Sequence, residues 1–312
     1  MPRVFDGHCD TVLRCYQQGG SFRRNNGHLD LERMAAYGGW AQFFACFGEP
    51  EDMPRRPLYQ VFQEEVALFR RELAANADLI VHCRTAAEAE AAWAQGKNAA
   101  FLSVEGAELL DCDLAKLEEA YKLGVRAVNL TWNHVNLLSG TNVEEPGRGL
   151  TAQGKAFARR MQELGMLIDV SHLSDPGLWD VVELAEKPFF ASHSNSRKIC
   201  SHPRNLTDEQ FTAIIEKRGV AGLNLCDEFL GPAPTVDTIV SHVEHWFSLG
   251  GEENVSLGGD WDGIAHPPAG VTGIQDIGKL ADRLLQMNYP EDRVKGLFYN
   301  NLMRVVREVC TT

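Results

Sequence analysis

Apolar, strand-like runs alternate along this chain with longer segments of helical periodicity, and five of the runs close on a residue able to hold or serve a metal ion. The strand candidates are Val4 to His8, Trp40 to Phe47, Ala99 to Glu105, Ala127 to Thr131, Met166 to Val170, Phe189 to Ser192, Val220 to Leu225 and Val255 to Gly258. Between them the spacing predicts helices over Leu58 to Ala75, Thr85 to Gln95, Leu114 to Leu123, Thr151 to Leu164, Pro176 to Leu184, Thr207 to Lys217, Val236 to Leu249 and Ile274 to Met287. Several open on capping chemistry, as at Ser174-Asp175-Pro176 and Thr207-Asp208-Glu209-Gln210. Strands joined by crossover helices make a parallel sheet, and eight strands are the number of a (β/α)8 TIM barrel. Leu79 to His82 is a ninth, short run that reads as a strand outside that count. An open doubly wound sheet would show the same alternation but would gather its site at one switch point. Here the polar ends follow the first, third, fifth, sixth and eighth runs, which suits a ring.

With 312 residues, of which 44% are hydrophobic and 23% charged, residues 1–312 can bury one large core. The turn-rich tract Leu138 to Gly149 sits between a strand-like and a helix-like segment, so it reads as a loop within a single domain, and Glu291 to Val309 as one or two further helices packed outside the barrel. A formal net charge of −13 argues against nucleic-acid or anionic-membrane partners, which need concentrated positive charge. The start of the sequence has no apolar signal core, and no apolar stretch has the length of a membrane span, so a cytoplasmic protein is expected. Its eight cysteines form no Cys-x-x-Cys pair and are expected to be reduced.

His8 and Asp10 stand two apart at the end of an extended run, so both side chains share a face and can grip one cation, while Cys9 points to the other face. Glu105, followed by Gly106, ends the third run; its two oxygens could bridge two cations. His172 and His193 are 21 residues apart, the length of one βα unit, which puts them on neighbouring strands. Together these five form a nitrogen and oxygen set suited to zinc. Asp260, after Ser256-Leu257-Gly258-Gly259, is placed to move a proton in hydrolysis. Asp262 shares its face by alternation but lies farther into the loop and reads as structural. Arg204, eleven residues after His193, can grip a carboxylate with two parallel hydrogen bonds.

These segments, Asp6-Gly-His-Cys-Asp10, Ser103-Val-Glu-Gly106, Leu130-Thr-Trp-Asn-His-Val-Asn136, Ile168-Asp-Val-Ser-His172, Ala191-Ser-His-Ser-Asn-Ser-Arg197, Pro203-Arg-Asn-Leu-Thr-Asp208 and Gly258-Gly-Asp-Trp-Asp-Gly263, resemble in order and spacing the membrane dipeptidase (renal dipeptidase) family, peptidase family M19 of the amidohydrolase superfamily. The resemblance covers nearly the whole chain. It implies two Zn2+ ions per chain, His8 and Asp10 on one, His172 and His193 on the other, and Glu105 bridging both. It further implies a bridging hydroxide as nucleophile, Asp260 as acid/base residue, Arg204 as anchor for the substrate carboxylate, tolerance for a D-residue at the C-terminal position of a dipeptide, and a homodimer. Two departures bear on substrate. Where well-known animal members carry a histidine directly after Leu-Thr, this chain has Trp132, with His134 two residues on as the candidate substitute; and the Asn-Phe-Tyr of those members is here Asn224-Leu225-Cys226. Hydrolysis of another amide, a β-lactam or a lactone is the nearest alternative. A noncatalytic metal-stabilised binding protein is the alternative of another class, against which Asp260 beside a full ligand set speaks.

Overall fold

A computed structural model describes residues 3–49 and 56–311. Among them are nine strands: β1 (Val4–Cys9), β2 (Trp40–Phe47), β3 (Ile80–His82), β4 (Asn98–Glu105), β5 (Val125–Asn129), β6 (Leu167–Asp169), β7 (Phe190–Ala191), β8 (Val220–Leu223) and β9 (Val255–Leu257). Every pairing is parallel, in the order β2-β1-β9-β8-β7-β6-β5-β4-β3, and a β2–β4 pairing closes the ring. Eight strands therefore form a barrel with helices around it, as the alternation predicts. The ninth run, β3, pairs only with the start of β4, at Asn98 to Ala100, whereas β5 pairs with the later residues Leu102 to Val104. It hangs below the ring because β5 begins too high to compete for that stretch.

Alternation along the strands fills the barrel floor with Phe5, Phe43, Phe101 and Phe190, whose ring centroids lie 5.2 to 5.7 Å apart, within the range of favourable aromatic contact. Leu302, Met303, Val305, Val306 and Val309 of the terminal helix Asn301–Val309 join the same buried cluster, so this helix lies across the N-terminal mouth of the ring. The predicted helices appear within a few residues of their expected ends, and Thr85 and Thr207 each make a full capping box. Short helices at Thr11–Gln18 and Asp227–Leu230, which carry too few turns for a periodic signal, were not expected.

Above the aromatic floor the strands are spaced by small residues. The chain leaving β7 bends into the barrel, and a Cβ on Gly222 or Gly258 would overlap the carbonyl oxygen of Ser192; one on Gly7 would stand 2.8 Å from it. Gly258 is also placed where its Cβ would press on the Cα of His193, 3.1 Å away. Gly258→Ala is therefore expected to destabilise the protein by about 1–3 kcal/mol, the usual cost of forcing atoms into a packed interior, and to weaken metal retention. Thermal unfolding of the metal-free variant and its metal content after dialysis check this. Parental values for both would mean that Ser192 moves aside freely.

Candidate metal centre

The five predicted ligands converge at the C-terminal rim of the barrel. His8 and Asp10 come from the end of β1 and the turn into the helix Thr11–Gln18, Glu105 from the last residue of β4, and His172 and His193 from the turns after β6 and β7. His8 Nε2 lies 3.3 Å from Asp10 Oδ2 and 3.4 Å from Glu105 Oε2. On the other side, Glu105 Oε1 lies 3.1 Å from His172 Nε2 and 3.4 Å from His193 Nε2, and the two imidazole nitrogens are 3.0 Å apart. The two oxygens of Glu105 thus face different donors, Oε2 the His8 side and Oε1 the His172–His193 side, and the whole set is tight enough that ligand atoms of His8, Glu105 and His193 lie within 4.8 Å of one another.

Those spacings test whether the site fits metal ions. Two donors bound to one tetrahedral zinc at about 2.0–2.1 Å stand roughly 3.3 Å apart, and the spacings on both sides of Glu105 are near that length. His8 Nε2 and Asp10 Oδ1 are buried without a hydrogen-bond partner, an arrangement that costs free energy unless something else occupies the space between them. Neighbouring residues also turn the rings the right way. His172 Nδ1 donates to Asn133 Oδ1 at 2.8 Å, and His193 Nδ1 lies 2.6 Å from Ser192 Oγ. A proton held on Nδ1 leaves the Nε2 lone pair facing inward, as metal-binding histidines require. The residues present fit bound metal.

The electrostatics agree. Burial raises the carboxyl of Glu105 to about 7 and that of Asp260 to about 6, with Asp10 adding repulsion to both. For His8, burial opposes the charged form, but Glu105 and Asp10 outweigh it and hold its pKa well above the usual imidazole value. Burial drives His172 and His193 well below that value, which keeps both neutral and able to donate a lone pair. Buried carboxylates crowded beside the two neutral imidazoles of His172 and His193 call for positive charge.

Asp260 lies in the loop after β9, with Oδ2 taking a hydrogen bond from Asn224 Nδ2 at 2.9 Å and Oδ1 4.0 Å from His8 Nε2. Asp262 does not share its face. Both residues have positive φ, 55° and 69°, so strand alternation has already ended, and the Asp262 carboxylate turns away to accept from the backbone N–H of His28 and the hydroxyl of Thr11, each at 2.6 Å. It closes the loop onto the helix Thr11–Gln18.

Arg204 is buried beside His193, donating to Ser194 Oγ at 3.1 Å and the backbone carbonyl of His193 at 3.2 Å. Among the described residues no carboxylate lies within 4.0 Å of it, and its Nε has no partner. His134, by contrast, is not brought to the cavity. Its Nδ1 is held by Glu144 at 3.0 Å and its Nε2 faces Glu49 at 3.6 Å. Trp132 and Asn133 take the wall instead, with the Trp132 ring 4.9 Å from Phe47 and 6.1 Å from His172. Cys9 packs into the hydrophobic core, away from the ligands. Sequence reasoning missed the supporting roles of Asn133, Ser192 and Asn224; the first two directly adjoin or face a ligand, but uncharged polar residues in loops carry no distinguishing pattern.

The site opens into a cavity of about 340 Å³, within the usual range for small-molecule sites, walled by Leu13, Phe47, Trp132, Asn133, Phe229 and Ile264 around Asp10, Glu105, His172 and Asp260. A family model described as membrane dipeptidase, peptidase family M19, matches residues 2–312. An uncharacterized dipeptidase of Schizosaccharomyces pombe is 33% identical, across 97% of this chain and 79% of its own length. A crystal structure of a metallo peptidase from Rhodobacter sphaeroides, liganded with a phosphinate mimic of the dipeptide L-Ala-D-Ala, matches with a TM-score of 0.87 at 28% identity, covering 99% of each chain. That of dipeptidase AC, a metallo peptidase of family M19, matches with a TM-score of 0.89 at 26% identity, covering 100% of this chain and 99% of the other. With the barrel, the ligand cluster and these likenesses in agreement over the full length, the chain belongs to the membrane dipeptidase family, peptidase family M19, and is a metallo-dipeptidase.

Proposed function

We propose that this protein hydrolyses free dipeptides with two zinc ions, and accepts a D-residue at the C-terminal position. The observation that carries the reading is Glu105, whose Oε2 faces His8 and whose Oε1 faces His172 and His193. His8 and Asp10 would hold one ion, His172 and His193 the other, and Glu105 both. Bound there, the ions would supply Lewis-acid polarisation of the scissile carbonyl and acidify the attacking water. The chain's own part is positioning and proton transfer. Arg204, buried and without an acid partner, would take the substrate's terminal carboxylate, which confines substrates to two residues. Asp260 would accept the proton of the attacking water on Oδ1, while Asn224 steadies Oδ2, and would then pass it to the departing amine. Phe47 and Trp132 would shield the reacting groups from bulk water. The phosphinate mimic of L-Ala-D-Ala carried by the Rhodobacter sphaeroides relative supports a D-residue at the second position. A reducing, cytoplasmic location is proposed as well, supported by eight cysteines that are all unpaired.

Protein purified without chelator and assayed with defined zinc against L,L and L,D dipeptides, together with a β-lactam and an N-acyl amino acid, tests the reading. Two zinc equivalents per chain and turnover of both dipeptide series are expected. Metal near zero with no activity restored by zinc would overturn the two-ion site, and turnover of the non-peptide amides alone would overturn the substrate.

A further inference from the structure

Asp6 and Asp169 are almost fully buried carboxylates inside the barrel that are not among the metal-donor residues, and both stand where a strand ladder gives out. β1 and β9 share a single registered pair, Asp6 with Leu257, and β6 and β7 a single pair, Asp169 with Phe190. Beyond these pairs the ladders dwindle to single contacts, such as the Cys9–Trp261 bridge and the Ser194 N–H to the Gly222 carbonyl, around the segments that present His8, Asp260, His172 and His193. Two of these residues also sit in the left-handed region, His172 at φ 70° and Asp260 at φ 55°, a conformation that persists in non-glycine residues only where the surroundings enforce it.

The same device appears at both places. The residue directly before each left-handed position donates its backbone N–H to a buried aspartate: Gly259 to Asp6 Oδ2 at 2.8 Å, and Ser171 to Asp169 Oδ1 at 3.0 Å. Each aspartate then reaches the partner segment. Asp6 Oδ1 accepts from the backbone N–H of His8 at 3.1 Å and from Gln42 Nε2 at 2.8 Å, and its Oδ2 also takes Trp261 Nε1 at 3.2 Å. Asp169 Oδ1 accepts from the backbone N–H of Ser192 at 2.9 Å, and the hydroxyl of the same serine lies 2.6 Å from His193 Nδ1. That hydroxyl can accept the Nδ1 proton of His193 only if its own proton points elsewhere, and the Asp169 carboxylate, which already holds the Ser192 backbone, is the acidic group on that side.

We propose that Asp6 and Asp169 are positioning residues, each joining two functional segments into one unit: Asp6 ties His8 to Asp260, and Asp169 ties His172 to His193 and sets the tautomer of His193 through Ser192. The assignment rests on the two-zinc reading above. Loss of an outer partner of a metal-binding histidine typically costs about 10- to 100-fold in metal affinity. Disturbing Asp6 instead disturbs a proton-transferring residue, which shows in kcat before it shows in KM.

Zinc affinity by equilibrium dialysis against a graded chelator, with steady-state kinetics at saturating zinc, tests this in four variants. Ser192→Ala removes only the hydroxyl between Asp169 and His193, and one of the two zinc equivalents should bind at least about tenfold more weakly. Asp169→Asn keeps a carbonyl oxygen for both amides but turns the second oxygen into a donor that cannot take the Ser192 proton, so its zinc affinity should fall as that of Ser192→Ala does. Trp261→Phe removes one donor to Asp6 and should lower kcat while KM and zinc content hold. Asp6→Asn, left with one acceptor oxygen for four donors, should lower kcat further. Ser192→Ala and Trp261→Phe each delete one hydrogen-bonding group, so they decide the matter if an aspartate variant does not fold. Parental zinc affinity in Ser192→Ala overturns the role of Asp169; an effect of Trp261→Phe confined to KM, or to the unfolding temperature of the metal-free protein, overturns that of Asp6. Parental protein that binds two zinc ions and cleaves dipeptides beside such variants would sink only this inference, whereas parental protein that does neither would sink the reading beneath it.

Discussion

Asp260→Asn is expected to lower kcat on dipeptides by about 10²- to 10⁴-fold, the usual loss when a positioned proton-transfer group is removed, while fold and zinc content stay near parental. The amide matches the carboxylate in shape. Its oxygen can keep the hydrogen bond from Asn224 Nδ2, 2.9 Å in the parent, which leaves an NH2 group on the side that faced His8. Nothing there can take a proton. Asp262 cannot substitute, because both of its oxygens are engaged, by His28 and Thr11, and its carboxylate faces away from the cavity. Kinetics beside elemental analysis of the same preparation check the result. A near-parental kcat would move proton transfer to another group, and a collapse of zinc content would make Asp260 a ligand.

Arg204→Ala should lower kcat/KM on free dipeptides by at least about tenfold, since each charge-assisted hydrogen bond to the substrate carboxylate contributes roughly 1.5–3 kcal/mol and 1.4 kcal/mol is a factor of ten. Dipeptide amides lack that carboxylate. They should be poor substrates for the parent and hardly worse for the variant. The guanidinium spends two hydrogen bonds on Ser194 and the His193 carbonyl, so part of its role supports the backbone that carries a ligand. Assaying acid and amide in both proteins, with zinc content measured, separates the two roles. Equal losses on acid and amide would assign Arg204 to that support and leave length selection to another part of the cavity wall.

The alternation of strand-like and helical segments carried the barrel, and the polar ends of five runs carried the ligand residues, because both are periodic features that the extended backbone translates directly into faces and positions. The ninth run was legible for the same reason, although its place outside the ring follows from β4 offering it only Asn98 to Ala100. Periodicity fails where the chain leaves extended geometry. Asp260 and Asp262 look equivalent by alternation, yet both have positive φ and their carboxylates meet different partners, Asn224 for one and His28 and Thr11 for the other. His134 looks like a substitute for a missing histidine, yet Glu144 and Glu49 hold it on the rim while Trp132 takes the wall.

By itself, then, the sequence determined the ring, the runs that build it and the kinds of atoms available at its C-terminal rim. Only the tertiary structure decided which of those atoms meet: that the oxygens of Glu105 divide between His8 on one side and His172 and His193 on the other, that Arg204 is buried without an acid beside it, and that Asp6 and Asp169 bind segments up to 255 residues apart. The physical reason is closure. Distances of about 3 Å between residues far apart in the chain depend on how all eight strands tilt and where each ladder ends, and no local pattern of side chains encodes that sum.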